Sequence, residues 1–140
     1  MEFLVMKKVF ALPVLLVAVL FLAGCAMFET DNNYLRPEDF ASQLRKDGIQ
    51  VDSIRPLRPE PLSATAAVEL KIGSSNIGVY KYDTNIRVQK ARLERIKKNK
   101  RVYFNGIPYP VYEVSGSFII VGLDKHKDKM RILESFRNFK

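Results

Sequence analysis

The sequence predicts an α+β fold in two layers: a mainly antiparallel sheet of about four or five strands, covered on one face by three helices. Two patterns support this prediction. Short stretches in which apolar and polar residues alternate are bounded by Gly, Ser and Asn, which is typical of half-buried strands joined by turns. Other stretches carry apolar residues at intervals of three and four, which is the spacing of one face of an α-helix.

The first helix is predicted over 37–47. Pro37 suits a first helical position, and Gly48 favours termination of the helix. A short strand is predicted over 49–54. The proline-rich stretch 55–61 favours extended backbone and is interpreted as a rigid connector, with a docking motif as the alternative.

The centre of the chain predicts a β-hairpin followed by a helix. Strands over 64–72 and 77–82 flank a polar turn. The helix covers 85–98, and Asp83 or Thr84 can cap its first turn through a side-chain oxygen. The predicted apolar stripe of this helix consists of Ile86, Leu93 and Ile96.

The last third of the chain predicts three more strands and a final helix. The strands cover 101–105, 111–114 and 118–123, with a break at 106–110, and the helix covers 127–139. The order strand, turn, strand, helix therefore occurs at 64–98 and again at 111–139. This order predicts either a ββα-ββα pseudo-repeat or the independent use of one common unit.

A signal for export and lipid attachment lies at the N terminus. Lys7 and Lys8 precede an apolar run over 9–22, and the tetrapeptide Leu22-Ala23-Gly24-Cys25 follows. Positive charge, an apolar core and small residues in this order are typical of a secretory signal. The run is shorter than the roughly 20 apolar residues that a transmembrane helix needs. The tetrapeptide resembles the lipobox of bacterial lipoproteins at every position.

The resemblance implies a covalent lipid anchor. Cleavage would fall between Gly24 and Cys25, the Cys25 thiol would carry a diacylglyceryl group, and its new amine would be acylated. Ala26 follows the cysteine where an aspartate would retain a lipoprotein in the inner membrane, which favours the periplasmic face of the outer membrane in a Gram-negative organism. Translation from Met1 and from Met6 are both compatible with this signal. No other cofactor is expected.

Three segments are therefore predicted: 1–24 as a removed signal peptide, 25–36 as the lipidated cysteine with a polar tether, and 37–140 as a single envelope domain. Cys25 is the only cysteine, so the domain must be stable without a disulfide. His126, the only histidine, lies among lysines and is interpreted as a solvated turn residue rather than a metal ligand.

The chain beyond residue 24 is basic, with 21 Lys and Arg against 14 Asp and Glu. The charge is densest over 87–101. Four basic residues of the predicted helix lie away from its apolar stripe: Arg87, Arg92, Arg95 and Lys98. They are interpreted as a solvated face or as a contact for anionic lipid head groups or wall polymers. Nucleic acid is disfavoured, because no ladder of stacking aromatic residues accompanies the charges.

The sequence leaves two interpretations open for three tyrosines: a core position, or an aromatic contact surface formed by Tyr80, Tyr82 and Tyr109.

No catalytic motif is present, and His126 is a poor general base if it is exposed. The leading expectation is a lipid-anchored, non-catalytic binding or assembly module that recognises another envelope protein. Direct anion binding through 85–101 is the alternative, and a small envelope enzyme is a more distant one.

Overall fold

The computed structural model describes residues 31–140. The predicted signal peptide, the cleavage site after Gly24 and the lipidation site at Cys25 lie outside the described residues. The helices are α1 (Asp39–Lys46), α2 (Arg87–Asn99) and α3 (Lys129–Arg137), with a short 3₁₀ turn at Glu60–Leu62. The strands are β1 (Ser53–Pro56), β2 (Ala66–Ile72), β3 (Ser75–Lys81), β4 (Arg101–Phe104), β5 (Ile107–Pro110), β6 (Val114–Ser115) and β7 (Phe118–Val121).

Five of the strands form one sheet in the order β1-β2-β3-β7-β6, and β4 pairs with β5 in a separate sheet. Every pairing in the described part of the chain is antiparallel. The predicted α+β class, the five-stranded antiparallel sheet and the three helices are therefore confirmed. The β2–β3 and β6–β7 hairpins meet through the pairing of β3 with β7, as one continuous sheet requires.

One face of the five-stranded sheet packs against α1 and α3. Because side chains alternate along a strand, every second residue of β2, β3 and β7 points to this face. The contributing strand residues are Val68, Leu70, Ile72, Ile77, Val79, Phe118 and Ile120. Phe40 of α1 lies 5.5 Å from Phe136 and 5.2 Å from Phe139, measured between ring centroids. We call this cluster the first core.

The other face is also covered, which adds a third layer to the two predicted. Its intervening strand residues, Ala67, Tyr80, Ile119 and Val121, pack with Leu93 of α2 and with residues of the 3₁₀ turn and of β4. We call this cluster the second core. The ββα-ββα pseudo-repeat is not confirmed: α2 and α3 pack in different cores, and the β4–β5 hairpin is inserted between the two halves.

The first strand begins later than the sequence predicted. Ile49 and Val51 are buried in the first core outside any strand, and β1 covers Ser53–Pro56. Pro56 pairs opposite Val68 at the edge of the sheet. An edge strand tolerates proline because its missing N–H can face solvent. The proline-rich stretch is thus partly a strand rather than a connector throughout.

The predicted break at 106–110 is a strand instead. Asn105 and Gly106 have φ values of 48° and 79°, and a two-residue hairpin turn of type I′ needs positive φ at both central positions. Ile107 therefore returns directly opposite Phe104, and β5 pairs with β4 along four residues.

The polar segment before α1 is part of the domain, not of a tether. Asn32 is 1% exposed. Its Nδ2 donates to the carbonyls of Ser115, at 3.1 Å, and Phe139, at 2.9 Å, while its Oδ1 accepts from the backbone N–H of Ser117 at 2.8 Å. Gly116 has a φ of +57°, and a Cβ there would collide with the Asn32 side chain. Residues 31–36 therefore belong to the same unit as the domain predicted over 37–140.

Asn33 extends this attachment to the start of α2. Its Nδ2 donates to Asp83 Oδ1 at 3.0 Å, and its Oδ1 accepts from the backbone N–H of Thr84 at 3.1 Å. Lys81 Nζ donates to the carbonyls of Asn33 and Leu35, both at 2.6 Å. Residues 31–36, which we call the N-terminal segment, are thus fixed to β3 and to the loop that leads into α2.

Candidate interaction surface

The outer side of α2 carries the densest positive charge in the described chain. Glu94 is the only acidic residue of the helix, and no cation of α2 lies within 4 Å of a carboxylate anywhere in residues 31–140. Of the exposed cations of α2, four lie within about 140° of the helix circumference at 100° per residue: Arg87, Lys90, Arg95 and Lys98. We call these four the basic face; it includes three of the four predicted anion-contact residues.

Arg92 differs from the other predicted anion-contact residues because it is half-buried. Its Nη1 donates to the Ser63 carbonyl at 3.4 Å, and Gln89 Nε2 donates to the same carbonyl at 3.0 Å. Ser63 has a φ of 54°, so its carbonyl lies in an irregular turn after the 3₁₀ helix. Arg92 therefore helps to fix α2 to the domain and is less exposed than the other three predicted anion-contact residues.

The first turn of α2 lacks the predicted side-chain cap. The N-cap position is Ile86, with no side-chain hydrogen bond. Asp83 Oδ1 instead accepts from the Asn85 N–H at 2.9 Å, and this bond, with that from Asn33, holds the pKa of Asp83 below its ordinary value. Ile86 is 48% exposed and Val88 is 59% exposed. Ile86 was predicted to lie in the apolar stripe, but it faces solvent at the helix start.

The β4–β5 hairpin has an inner and an outer side. Residues opposite one another in an antiparallel pair lie on the same side of the sheet. Val102 and Phe104 face the second core, and Tyr109 lies on that side with its ring edge-to-face against Phe104, 5.2 Å between centroids. On the outer side, Tyr103 lies opposite Pro108 and is 54% exposed.

The outer side of the hairpin also holds a cation and a second proline. Arg101 is paired opposite Pro110 and lies two residues from Tyr103, hence on the same side. Ile107 is paired opposite Phe104 and so belongs to the inner side, but at the turn it is 56% exposed. Tyr112 follows Pro110 by two residues, and Lys129 Nζ lies 3.7 Å from its ring centroid, a cation–π contact.

Of the three tyrosines for which the sequence left a core position and a contact surface open, two are core residues. Tyr80 and Tyr82 are buried in the second core. The Tyr82 hydroxyl donates to the Leu62 carbonyl at 2.8 Å, and burial raises the pKa of Tyr82 well above its ordinary value. Burial also raises the pKa of Tyr80. Only Tyr109 of this predicted set is exposed.

His126 is buried, although the lysines around it predicted a solvated turn residue. Its Nδ1 accepts from the Asp128 N–H at 3.0 Å, so Nε2 carries the proton and donates to the Ile72 carbonyl at 3.2 Å. Both ring nitrogens are thereby used to join the loop before α3 to the end of β2. The pattern of flanking lysines could not reveal this role, because the partners are backbone groups.

A cleft of about 240 Å³ lies between the end of α1 and α3. Ser135 Oγ donates to Asp47 Oδ2 at 2.6 Å across it, and this bond, with one from Gln43, holds the pKa of Asp47 below its ordinary value. The hydroxyl proton is directed to the carboxylate in a contact between the two helices. We interpret this pair as a structural link.

Within residues 31–140, no three His, Cys, Asp or Glu side chains are grouped to hold a metal ion. No helix of this part of the chain has both the length and the hydropathy needed to cross a bilayer. Comparisons of the chain with family models, with curated proteins and with solved structures find no match.

Proposed function

We propose that the protein is a lipid-anchored component of a bacterial cell envelope, and that its domain is a non-catalytic binding or assembly module for another envelope protein. The anchor follows from the lipobox-like tetrapeptide that ends at Cys25. The observation that carries the binding role is the outer side of the β4–β5 hairpin, where Arg101, Tyr103 and Pro108 are exposed together.

The composition of this hairpin supports contact with a protein. Tyr and Arg are enriched among the residues that contribute most to protein–protein binding energy. Tyr103 and Arg101 extend from a strand that is paired on one side and packed on the second core, so the backbone that carries them is already ordered before a partner binds. The hairpin therefore offers a preorganised surface.

The prolines of β5 define how a partner would bind. Pro108 and Pro110 have no backbone N–H, so the free edge of β5 cannot donate hydrogen bonds from these positions to an added strand. A partner would contact side chains on the outer side rather than extend the sheet. This arrangement also protects the edge against non-specific pairing.

Site-specific photo-crosslinking in intact cells tests this role. A photoreactive phenylalanine analogue at Tyr103 is expected to give one discrete adduct with an envelope protein. The matched control is the same analogue at Ile54, an exposed apolar residue of edge strand β1. The same adducts at both positions, or lipid adducts alone at Tyr103, would refute the protein-binding role.

The anchor is tested by Cys25→Ser in cells fed labelled palmitate. The protein with the native sequence and a matched Ala26→Ser variant are both expected to incorporate the labelled palmitate. Cys25→Ser is expected to incorporate none. A Cys25→Ser protein that is still processed and still retained in the membrane fraction would overturn the lipoprotein assignment.

A further inference from the structure

We propose that the basic face of α2 docks on the anionic phospholipid head groups of the bilayer that holds the anchor, an inference that rests on the lipid anchor proposed above. The basic face consists of Arg87, Lys90, Arg95 and Lys98. The protein-binding hairpin then remains a separate surface of the same domain.

Charge supplies the first argument. The four cations are exposed and have no carboxylate within 4 Å in the described chain, so their charge is not neutralised within the domain. Glu94 is on the same side of the helix and is the one opposing charge. Basic residues grouped close to a membrane are attracted by the negative surface potential of anionic lipids.

Exposed apolar side chains around the start of α2 supply the second argument. Ile86 and Val88 are largely exposed, and Tyr34 of the N-terminal segment is 73% exposed. Tyr34 follows Asn33, whose side chain is bonded to Asp83 and Thr84 just before α2. A helix with basic residues on one side and exposed apolar residues beside them is typical of contact with the head-group layer.

The length of the connection supplies the third argument. Asp31 is already part of the domain, and an extended chain covers at most about 3.6 Å per residue, so the six steps from Cys25 to Asp31 reach roughly 20 Å at most. A domain of this size has a radius of gyration of about 13 Å, and hence a diameter larger than that reach. The domain surface around residue 31 is therefore kept close to the head groups.

The position of that attachment brings the start of α2 close to the membrane. Asn32 binds the β6–β7 turn and Asn33 binds the loop directly before α2, so the connection emerges between this turn and the first turn of the helix. The 13 residues of α2 extend about 20 Å away from this point, and β4 begins at the far end. The helix can thus lie on the membrane while the β4–β5 hairpin is available to a protein partner.

A fluorescent probe on α2 tests the docking in the full-length mature lipoprotein. Since Cys25 is the only cysteine and its thiol carries the lipid, Val88→Cys adds one labelling site for an environment-sensitive fluorophore. The protein is reconstituted into vesicles of phosphatidylcholine alone or with about one third phosphatidylglycerol. We expect a blue-shifted emission in the anionic vesicles only, reversed by about 0.5 M salt because salt screens these charges.

Two charge-reversal variants make the test specific. Replacing the basic face with Arg87→Glu, Lys90→Glu, Arg95→Glu and Lys98→Glu is expected to lower the ratio of docked to undocked domain at least a hundredfold, since each basic residue near an anionic surface contributes about fivefold. The matched control reverses four exposed lysines elsewhere: Lys46→Glu, Lys71→Glu, Lys125→Glu and Lys127→Glu. Far-ultraviolet circular dichroism is used to check that both variants are folded.

The outcomes separate this inference from the anchor. Equal probe responses in neutral and anionic vesicles, or equal losses in both charge-reversal variants, would refute docking through the basic face. If the protein remains in the vesicles and the probe at Val88→Cys never responds, docking is wrong and the anchor stands. If the fluorophore also labels Cys25, or the protein leaves all vesicles, the anchor itself is wrong.

Discussion

The two faces of the five-stranded sheet are covered by different kinds of element. The first core is formed with α1 and α3 and contains closely packed phenylalanine rings, such as Phe40 against Phe136. The second core is formed with α2 and the β4–β5 hairpin and uses tyrosines, with Tyr82 bonded to a backbone carbonyl. Elements over the second core also expose Ile86, Val88, Tyr103 and Ile107, whereas α3 exposes only Met130 among its large apolar residues.

This difference indicates that the two faces of the sheet have different roles, one in the stability of the fold and the other in contact with partners. A face whose covering elements bury their apolar residues contributes mainly to the free energy of folding. A face whose covering elements leave aromatic and cationic side chains exposed has residues available for binding. The proposals for the hairpin and for α2 both fall on the second side of the sheet, and variants on the two sides should therefore behave differently.

The largest expected effect is in the first core. Phe136→Ala removes a fully buried ring that contacts Phe40, and it should lower the free energy of unfolding by about 3–5 kcal/mol in urea denaturation. Tyr103→Ala on the outer side of the hairpin is the matched aromatic truncation. It is expected to change the free energy of unfolding by less than about 1 kcal/mol, because this side chain is exposed. Similar losses from both substitutions would remove the distinction between the two sides.

Asn32→Ala tests whether the N-terminal segment belongs to the folded domain. It leaves the Ser117 N–H and the carbonyls of Ser115 and Phe139 without these partners, so we expect a loss of about 2–3 kcal/mol in the same measurement. Asn99→Ala, at the exposed end of α2, serves as the control and should be nearly neutral. An unchanged stability in Asn32→Ala would restore the interpretation of this segment as a tether.

Tyr82→Phe tests the polar link within the second core. It keeps the ring and removes the hydrogen bond to Leu62, with an expected loss of about 1 kcal/mol at neutral pH. The pKa of Tyr82 is raised in the folded state above its value near 10 in the unfolded chain. Its contribution is therefore fully present below pH 10 and is lost as the pH rises above it.

Unfolding of the native chain and of Tyr82→Phe at pH 9 and pH 11 measures this dependence. The native chain should lose more stability between the two values than the variant does. Some dependence should remain in the variant, because burial also raises the pKa of Tyr80. Identical pH dependences would show that Tyr82 ionises as an exposed tyrosine would.

The smallest expected effect distinguishes two neighbouring cations of α2. Arg92→Ala removes the bond to the Ser63 carbonyl and should cost about 0.5–1 kcal/mol of stability. Arg95→Ala should leave stability unchanged within about 0.5 kcal/mol while weakening the docking signal on anionic vesicles. The reverse ranking would place Arg95 in the domain structure and Arg92 on the contact surface.

Local patterns in the sequence predicted most of the elements. Alternation identified β2 and β3, and helical spacing identified α1, α2 and α3 within a few residues of their ends. β5 was missed even though Asn105-Gly106 is a strong hairpin signal, because the two prolines after it were interpreted as a break. The Asn-Gly turn is the stronger of the two local signals, because an edge strand such as β5 tolerates proline.

Other features depend on contacts that no local pattern encodes. Asn32 has partners 83 to 107 residues away in the chain, so its role depends on how the sheet closes. His126 is buried through backbone partners in β2, and the flanking lysines concealed this. Tyr80 and Tyr82 could belong to a core or to a surface until the element that covers them was known. The basic residues of the candidate surface were therefore identified from the sequence. The β4–β5 hairpin was not, because β5 was not recognised as a strand.

The three side-chain hydrogen bonds of Asn32 also influence where tension on the N-terminal segment would enter the domain. Tension on an anchored chain is transmitted through the N-terminal segment, and Asn32 passes it to the β6–β7 turn and to Phe139 near the C terminus. The force therefore acts on several long-range contacts at once rather than peeling the edge strand β1. If the proposed lipid anchor is pulled, the bonds of Asn32 therefore share the force with those of Asn33 and Lys81, and the domain is loaded through its interior rather than from one edge.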